Sequence, residues 1–391
     1  MLFRLLVWVC AFQAIGCRAP NLKHIERPLV PPEICAKGSD SGKIARVAAG
    51  WDFTCTLTCG GSVRCWGGND CGQLGDGTGA SHLTPMEVLG LGPGVREIAA
   101  GSGYGCALND RGGVKCWGTQ GCYARKDLPD HLRPLPTDVV GLSSGVVAIR
   151  QGEDSTCVLT NVGGVKCWNN YDGEEPVRGG NEVRDGPPVD QVGLTSGVLD
   201  LALSGTLCAV TSEGKVICWG NNLARQIADD DNGIIARPVE LVGLTSLAEK
   251  IAVGWGFICI LNRDGNVECR GRFYNSQGSV VSGLDLLALS SFDVVAMSAG
   301  GAHACVLTSD GAIKCWGDNS EGRLGDGTTT SRTVPVDVLG LSSGVVALST
   351  NFKSSCAVTN AGRVWCWGDN SSGQLGDGTT TDRAAPVEVR F

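Results

Sequence analysis

Histidine, basic charge, long apolar runs and helical periodicity are all scarce in these 391 residues. There are four histidines (His24, His82, His131 and His303), and no two share a position in the repeat described below. No phosphate-binding loop, nucleophile elbow or HExxH run occurs, so the common signatures of nucleotide, acyl-transfer and zinc-protease chemistry are missing. Lys and Arg total 32 against 40 Asp and Glu, a formal charge of −8. With no basic arm as well, the electrostatic footprint of a nucleic-acid binder is absent. The apolar run from Leu5 to Phe12 is far shorter than the roughly 20 residues of a membrane span. Apolar residues nowhere recur at helical spacing, which leaves strands and turns, and 58 glycines suit many turns.

Cysteine, in contrast, is abundant and ordered. Of the 20 cysteines, fourteen form pairs ten positions apart: Cys55 and Cys65, Cys106 and Cys116, Cys157 and Cys167, Cys208 and Cys218, Cys259 and Cys269, Cys305 and Cys315, Cys356 and Cys366. Successive pairs are 51 residues apart, except for one step of 46 between Cys259 and Cys305. A glycine sits one position past each midpoint: Gly61, Gly112, Gly163, Gly214, Gly265, Gly311 and Gly362. A three-residue hairpin loop ends on a left-handed residue, and glycine adopts that conformation without steric cost. Residues symmetric about such a loop face each other at a Cβ separation of roughly 4.5–5.5 Å, close to disulfide range. Each pair therefore reads as a staple across one hairpin, worth about 2–3 kcal/mol in the chain-entropy model. The bland alternative is fourteen reduced, half-buried thiols.

This much cysteine points to an oxidising compartment. The N-terminus agrees: MLFRLLVWVCAFQAIGC has Arg4, an apolar run and then small residues, the pattern of a secretory signal. Its end, Ala14-Ile15-Gly16-Cys17, is similar to a bacterial lipoprotein box, with Ala14 where Leu is usual. The expectation is lipidation at Cys17, with an ordinary cleaved signal as the alternative, placing the protein in the bacterial cell envelope or secreting it. The lipid would be its one membrane attachment. Cys35, Cys59, Cys71 and Cys122 then remain. Cys71 and Cys122 hold equivalent positions in neighbouring units, so a disulfide between Cys71 and Cys122 is a candidate, while Cys59 could take Cys71 or Cys35. Their spacing matches no zinc pattern.

The expected organisation is a signal over residues 1–17, a Pro-containing leader or closing segment over 18–46, and seven repeats over 47–391. The repeats run near 47–97, 98–148, 149–199, 200–250, 251–295, 296–346 and 347–391. Each holds four short extended segments, which predicts an all-β, seven-bladed β-propeller with a parallel solenoid as the rival architecture. The leader's RPLVPPEI resembles the fourth segment of a unit, VPVDVLGL, and is a candidate closing strand.

The running pattern AAG…CxLxxxGxVxCWGxN…GQLGDGT…PxxV resembles the regulator-of-chromosome-condensation repeat, which forms seven-bladed propellers. Its loop signature stands at Gly72–Thr78, Gly322–Thr328 and Gly373–Thr379. Units two to four keep the hairpin but lose LGDGT, unit five is short, and the histidine usual two before the first cysteine survives only as His303. The family's founding activity is nucleotide exchange on a nuclear GTPase. Net charge, the absence of an inserted wedge and the exported character argue against it here. A plant ultraviolet photoreceptor of similar fold uses clustered tryptophans, but here Trp66, Trp117, Trp168, Trp219, Trp316 and Trp367 recur once per unit, as blade packing would.

A secreted relative that inhibits β-lactamases through one propeller face implies a different role, a monomeric disc that binds an extracytoplasmic protein or glycan. The candidate anchors are Trp51, Phe53, Tyr104, Trp255, Phe257 and Phe352, all just before the first cysteine of a unit. The competing reading makes them ordinary turn residues. No catalytic residue, metal ligand or cofactor site is expected. The LGDGT aspartates Asp76, Asp326 and Asp377 are read as loop hydrogen-bond acceptors. The run Asp229-Asp230-Asp231 lacks calcium-loop spacing. An envelope enzyme with a site in the axial channel is the alternative. Carboxylates clustered in the channel would favour it, whereas a continuous aromatic patch on one face would favour binding.

Overall fold

The structure is a computed structural model that describes residues 35, 41–119, 133–153, 155–168, 171–172, 175–176, 187–228, 233–274, 280–285 and 292–391. Among them lie seven four-stranded antiparallel sheets and no helix; six sheets are built from consecutive strands, and in the third a two-stranded hairpin, Tyr171–Asp172 with Glu175–Pro176, intervenes before the fourth strand. Blade 1 contains Ile44–Ala49, Phe53–Thr58, Val63–Gly67 and His82–Glu87. Blade 7 contains Val345–Thr350, Ser354–Thr359, Val364–Gly368 and Arg383–Glu388. First strands of successive blades touch around the ring, and blade 7 touches blade 1 in the same way. The first strands begin at Ile44, Val95, Val146, Val198, Ala248, Val294 and Val345, two or three residues ahead of the expected repeat boundaries. Both terminal blades are complete in contiguous chain, so no described blade position awaits a closing strand from the leader. RPLVPPEI itself, the signal, Cys10, Cys17, Cys122 and the run 229–231 lie outside the described residues.

The hairpin staples are present in all seven blades, with the pairing that the ten-residue spacing implies. In blades 1 to 4, Cys55 is bonded to Cys65, Cys106 to Cys116, Cys157 to Cys167 and Cys208 to Cys218. In blades 5 to 7, Cys259 is bonded to Cys269, Cys305 to Cys315 and Cys356 to Cys366. The two members are directly opposed on the second and third strands of each blade. Their Cα atoms are 4.0–4.2 Å apart, so the alternative of free, half-buried thiols does not hold. In blade 1 the loop closes with Thr58 N donating to Ser62 O (2.9 Å) and Gly61 N donating to Thr58 O (3.0 Å), and Gly61 has φ 87°. Cys59 pairs with Cys35, which decides one choice that the sequence left open. Cys71 is disulfide-bonded as well; its expected partner Cys122 lies outside the described residues.

Three devices hold neighbouring blades together. The indole N–H of Trp117, Trp367 and Trp66 donates to the carbonyl of Gln73, Arg323 and Gln374 in the loop of the preceding blade, at 2.8, 2.9 and 2.9 Å. The third of these bonds joins blade 1 to blade 7, so the chain ends are sealed like any interior junction. Gly75, Gly325 and Gly376 lie against these indoles, where a Cβ would come within 2.6–2.8 Å of the ring. Asn69, Asn319 and Asn370 organise the loop itself: in blade 1, Asn69 Nδ2 donates to Ala80 O (2.9 Å) and Asp76 Oδ1 (3.3 Å). Asp76, Asp326 and Asp377 accept from the N–H of Thr78, Thr328 and Thr379 at 2.9 Å. Burial alone would raise their pKa values, but these bonds outweigh it and hold all three below the ordinary Asp range. Blade 4 has lost LGDGT yet keeps the loop core, with Asn222 Oδ1 accepting from Ile227 N at 2.8 Å.

The remaining devices satisfy the inner edge of each sheet, whose unpaired backbone groups face the next blade. Ser349 Oγ accepts from Ala49 N (3.0 Å) and Ser298 Oγ from Thr350 N (2.9 Å). On the far side of the ring charged residues do this. Arg150 Nε donates to Leu201 O (3.0 Å), Asp200 Oδ2 accepts from Ile251 N (3.1 Å), and Arg96 donates to Val146 O (2.9 Å).

Candidate functional site

Each first strand turns back into the second through a short connection, and these seven turns encircle one end of the propeller axis. A shallow axial mouth there is lined by residues of all seven blades, from Trp51 through Gly101, Gly152, Ser204, Val253 and Gly301 to Phe352. The turns are linked by backbone bonds: Trp51 N to Gly101 O (3.1 Å), Trp255 N to Gly301 O (3.1 Å) and Gly301 N to Asn351 O (3.3 Å). Asn351 locks its own turn by accepting from Lys353 N and Ser354 N, both at 2.7 Å. Its amide also donates to Gly50 O across the blade 7 to blade 1 junction.

One position of this turn varies around the ring while its surroundings stay constant. Trp51, Ser102, Glu153, Trp255, Gly301 and Phe352 occupy it in blades 1, 2, 3, 5, 6 and 7. The turn of blade 4 is one residue shorter, since Ala202 pairs Cys208 where Ala48 pairs Cys55. The aromatic members converge. Trp51 stacks on Phe352 with centroids 4.8 Å apart and planes 18° from parallel. Trp255 meets Phe352 edge-on at 6.4 Å and Tyr274 at 5.8 Å. Gly301 makes this possible: a Cβ there would lie 2.4 Å from Phe352 Cδ2, so the phenyl ring crosses blade 6 and reaches blade 5. Arg323 Nη1 donates to Phe352 O (3.3 Å) and steadies its backbone. Trp51 and Trp255 are each 39% exposed, which leaves aromatic surface open to solvent.

Half of the expected anchors are elsewhere. Phe53, Tyr104 and Phe257 are buried, at 0%, 4% and 0% exposure, and their rings lie beneath the turn glycines. A Cβ on Gly50, Gly101 or Gly254 would come within 2.2, 2.7 or 2.1 Å of those rings. They pack between blades, Tyr104 also donating its hydroxyl to Ser155 O (2.9 Å). The Gly-x-x-aromatic spacing in the sequence carried that signal. Tyr274 was missed because it belongs to the third strand of blade 5, Val267–Tyr274, which runs eight residues where other blades have four to six.

The carboxylates of the innermost strands are already engaged. Arg150 lies 2.9 Å from Glu97 Oε1 and 3.5 Å from Asp200 Oδ1. Burial works against the charge of this guanidinium, but Glu97 and Asp200 outweigh burial and raise its pKa. Two carboxylates bridged by one fixed cation complete the sheet edge and leave no free acid and base. Among the described residues no group of three or more His, Cys, Asp or Glu could hold a metal ion, and no helix is long and apolar enough to cross a membrane.

Comparison with known proteins agrees with this architecture. Two profiles of the regulator of chromosome condensation (RCC1) repeat match, one at residues 44–73, 294–323 and 345–374, the other at 60–108, 310–351 and 361–391. The chain carries RCC1 repeats. The matched segments fall in blades 1, 2, 6 and 7, which include the three blades that retain LGDGT. The ultraviolet-B receptor UVR8 of Arabidopsis thaliana is 26% identical over 366 residues, covering 88% of this chain and 81% of the receptor. The human E3 ubiquitin-protein ligase HERC2 is 27% identical over 90% of this chain, but that match spans 8% of the ligase. Among solved structures, Prp20p from Saccharomyces cerevisiae, studied for its binding to Gsp1p and histones, superposes with a TM-score of 0.68 at 21% identity, covering 85% of this chain and 88% of Prp20p. At that identity the likeness concerns the RCC1 fold.

Proposed function

We propose that this RCC1-repeat propeller is an exported, lipid-anchored scaffold of the bacterial cell envelope that binds a partner protein through the axial mouth. The observation that carries the reading is the continuous arc Trp51, Phe352, Trp255 and Tyr274, formed from residues far apart in sequence. Trp and Tyr are the residues that dominate binding hot spots, and here they are held rigid by turn-to-turn bonds around a concave centre. Seven hairpin disulfides and the bond between Cys35 and Cys59 support the oxidising compartment. The engagement of Glu97 and Asp200 by Arg150 weighs against an enzyme with its site in the channel.

Two measurements test the two halves of this reading. Intact mass of the protein from its native host, alkylated without reduction, is expected to start at a lipidated Cys17 with no hairpin thiol alkylated. A full-length chain with alkylated cysteines refutes export. Affinity capture from envelope extracts, with wild type compared against a double variant carrying Trp51→Ala and Phe352→Ala, tests the face. The reading requires a partner lost in the double variant and retained by Val242→Ser, a change at an exposed loop between blades 4 and 5. Equal capture by all three refutes it.

A further inference from the structure

The chemistry of the axial mouth narrows what can enter it. The backbone N–H groups of Gly50, Gly101, Gly152 and Gly300 donate to carbonyls of their own blades, and that of Gly301 donates to Asn351 O, so these donors are spent. What the mouth presents is acceptors and aromatic faces. Glu153, on the same turn position as Trp51 but two blades away, is the one ionisable side chain lining it among the described residues. A carboxylate has about four acceptor sites, so Glu153 can keep a contact within the chain and still accept from a ligand. Gln151, on the wall beside it, has an amide oxygen buried with no hydrogen-bond partner among the described residues. Across from these stand the stacked rings of Trp51 and Phe352. The cations of this end, Lys353, Arg272 and the buried Arg323 that donates to Phe352 O and pairs with Asp318, do not line the mouth.

Aromatic faces attract cations electrostatically, most strongly where water is excluded, and a carboxylate on the opposite wall supplies the charge-assisted hydrogen bond. The chain's net charge of −8 reinforces the same polarity at longer range. An anionic occupant would meet Glu153 as a like charge, and a purely apolar one would desolvate the acceptors of this wall without replacing their water.

We infer that the mouth is a receptor for one basic side chain, lysine or arginine, projected from a loop of the partner protein. The inference rests on the reading of this rim as the partner-binding face. The aromatic arc takes the aliphatic stem and one face of the charged head, and Glu153 takes its N–H groups. Arginine fits best, because its planar guanidinium stacks on aromatic rings while keeping its donors in plane.

A library of disulfide-cyclised heptapeptides displayed on phage, panned against the full, disulfide-bonded chain, tests this directly. Enriched peptides are expected to share one lysine or arginine. Replacing that residue with norleucine or citrulline in the synthetic peptide should weaken binding roughly tenfold. Trp51→Ala should weaken it by a similar factor and Glu153→Gln by roughly fivefold, while Trp51→Phe, which retains a stacked ring, keeps most of the affinity and shows that the rim is folded. Peptides that depend on Trp51 but carry no essential basic residue overturn this inference and leave the face standing. Peptides indifferent to Trp51→Ala, or no enriched peptide at all, overturn both.

Discussion

The junctions around the ring divide into two arcs that are closed by different chemistry. From blade 6 through blade 7 and blade 1 to blade 2, each junction carries a tryptophan whose indole N–H is bonded into the preceding loop, at Trp367, Trp66 and Trp117. At the junctions of blade 7 with blades 6 and 1 the inner edges are satisfied by neutral hydroxyls, Ser298 and Ser349. From blade 2 to blade 6 the pattern changes. Arg270 stands where the fifth tryptophan would be, and the buried Trp316 indole nitrogen has no partner among the described residues. The inner edges there are spanned by Arg96, Arg150, Asp200 and Lys250. Repeat regularity and inner-edge charge thus trade places around one ring. At the two junctions of blade 7, where the outer clamp is intact, a neutral inner contact suffices. Where the loop has diverged, charged side chains that reach into the next blade take over.

The largest test of that contrast is Arg150. Arg150→Met keeps the aliphatic bulk but removes the cation bonded to Glu97 and leaves only the field of Arg46 to offset that buried carboxylate, so the loss should approach the about 3–5 kcal/mol of a broken buried pair. Ser349→Ala, on the other arc, removes one neutral bond and should cost about 1 kcal/mol. Denaturant midpoints of the two variants check this. Equal losses would dissolve the distinction between the arcs. Adding Glu97→Gln to Arg150→Met should restore part of the stability, because the uncompensated charge is gone.

Next in size is a comparison of two tryptophans. Trp66 and Trp316 are both 0% exposed and hold the same place in the repeat, yet only Trp66 has an indole acceptor, Gln374 O. Each Trp→Phe change loses similar packing. Trp66→Phe also loses a buried hydrogen bond, leaving Gln374 O with Thr54 Oγ1 (2.9 Å) as its donor, whereas Trp316→Phe relieves a buried donor. The first should therefore be the more destabilising by about 1–3 kcal/mol, again read from equilibrium unfolding.

What could be read in the sequence follows from whether a feature is local. The stapled hairpins were legible because symmetric cysteines and an offset glycine specify a three-residue loop with no outside help. The loop aspartates were legible for the same reason. The sealing of blade 7 to blade 1 was not, because the Trp66 to Gln374 bond spans 308 positions. The rim was half legible. Variable aromatics before the first cysteine marked the right turn, but Phe53 and Trp51 are two residues apart and only packing against the turn glycine separates the buried one from the exposed one. The inner bulge, which skips one residue near the start of every first strand, as between Ile44 and Arg46, has no residue signature at all.

The smallest expected effect concerns His303, and it also separates the arcs, since it lies in the regular one. Its ring occupies the buried position held by Phe53 and Phe257 in other blades, beneath Gly300, with Nε2 2.8 Å from Ser355 Oγ. Burial first, and then the positive charge of Arg323, push its pKa well below the ordinary value of 6.5. The folded state therefore refuses a proton that the unfolded chain accepts. Above pH 6.5 neither state is protonated and the group is silent. As pH falls below 6.5 the unfolded state binds the proton first, and stability declines by up to about 1.4 kcal/mol per pH unit until the folded pKa is reached. His303→Phe should fold, because phenylalanine already fills the same site twice in this chain, and Ser355 Oγ keeps its bond to Arg323 O (3.1 Å). Urea midpoints measured at about pH 7.5 and about pH 5 are expected to fall for the wild type and to fall less for the variant. Parallel declines would assign the acid sensitivity to other groups and leave His303 as a neutral packing residue, equivalent in practice to the two phenylalanines.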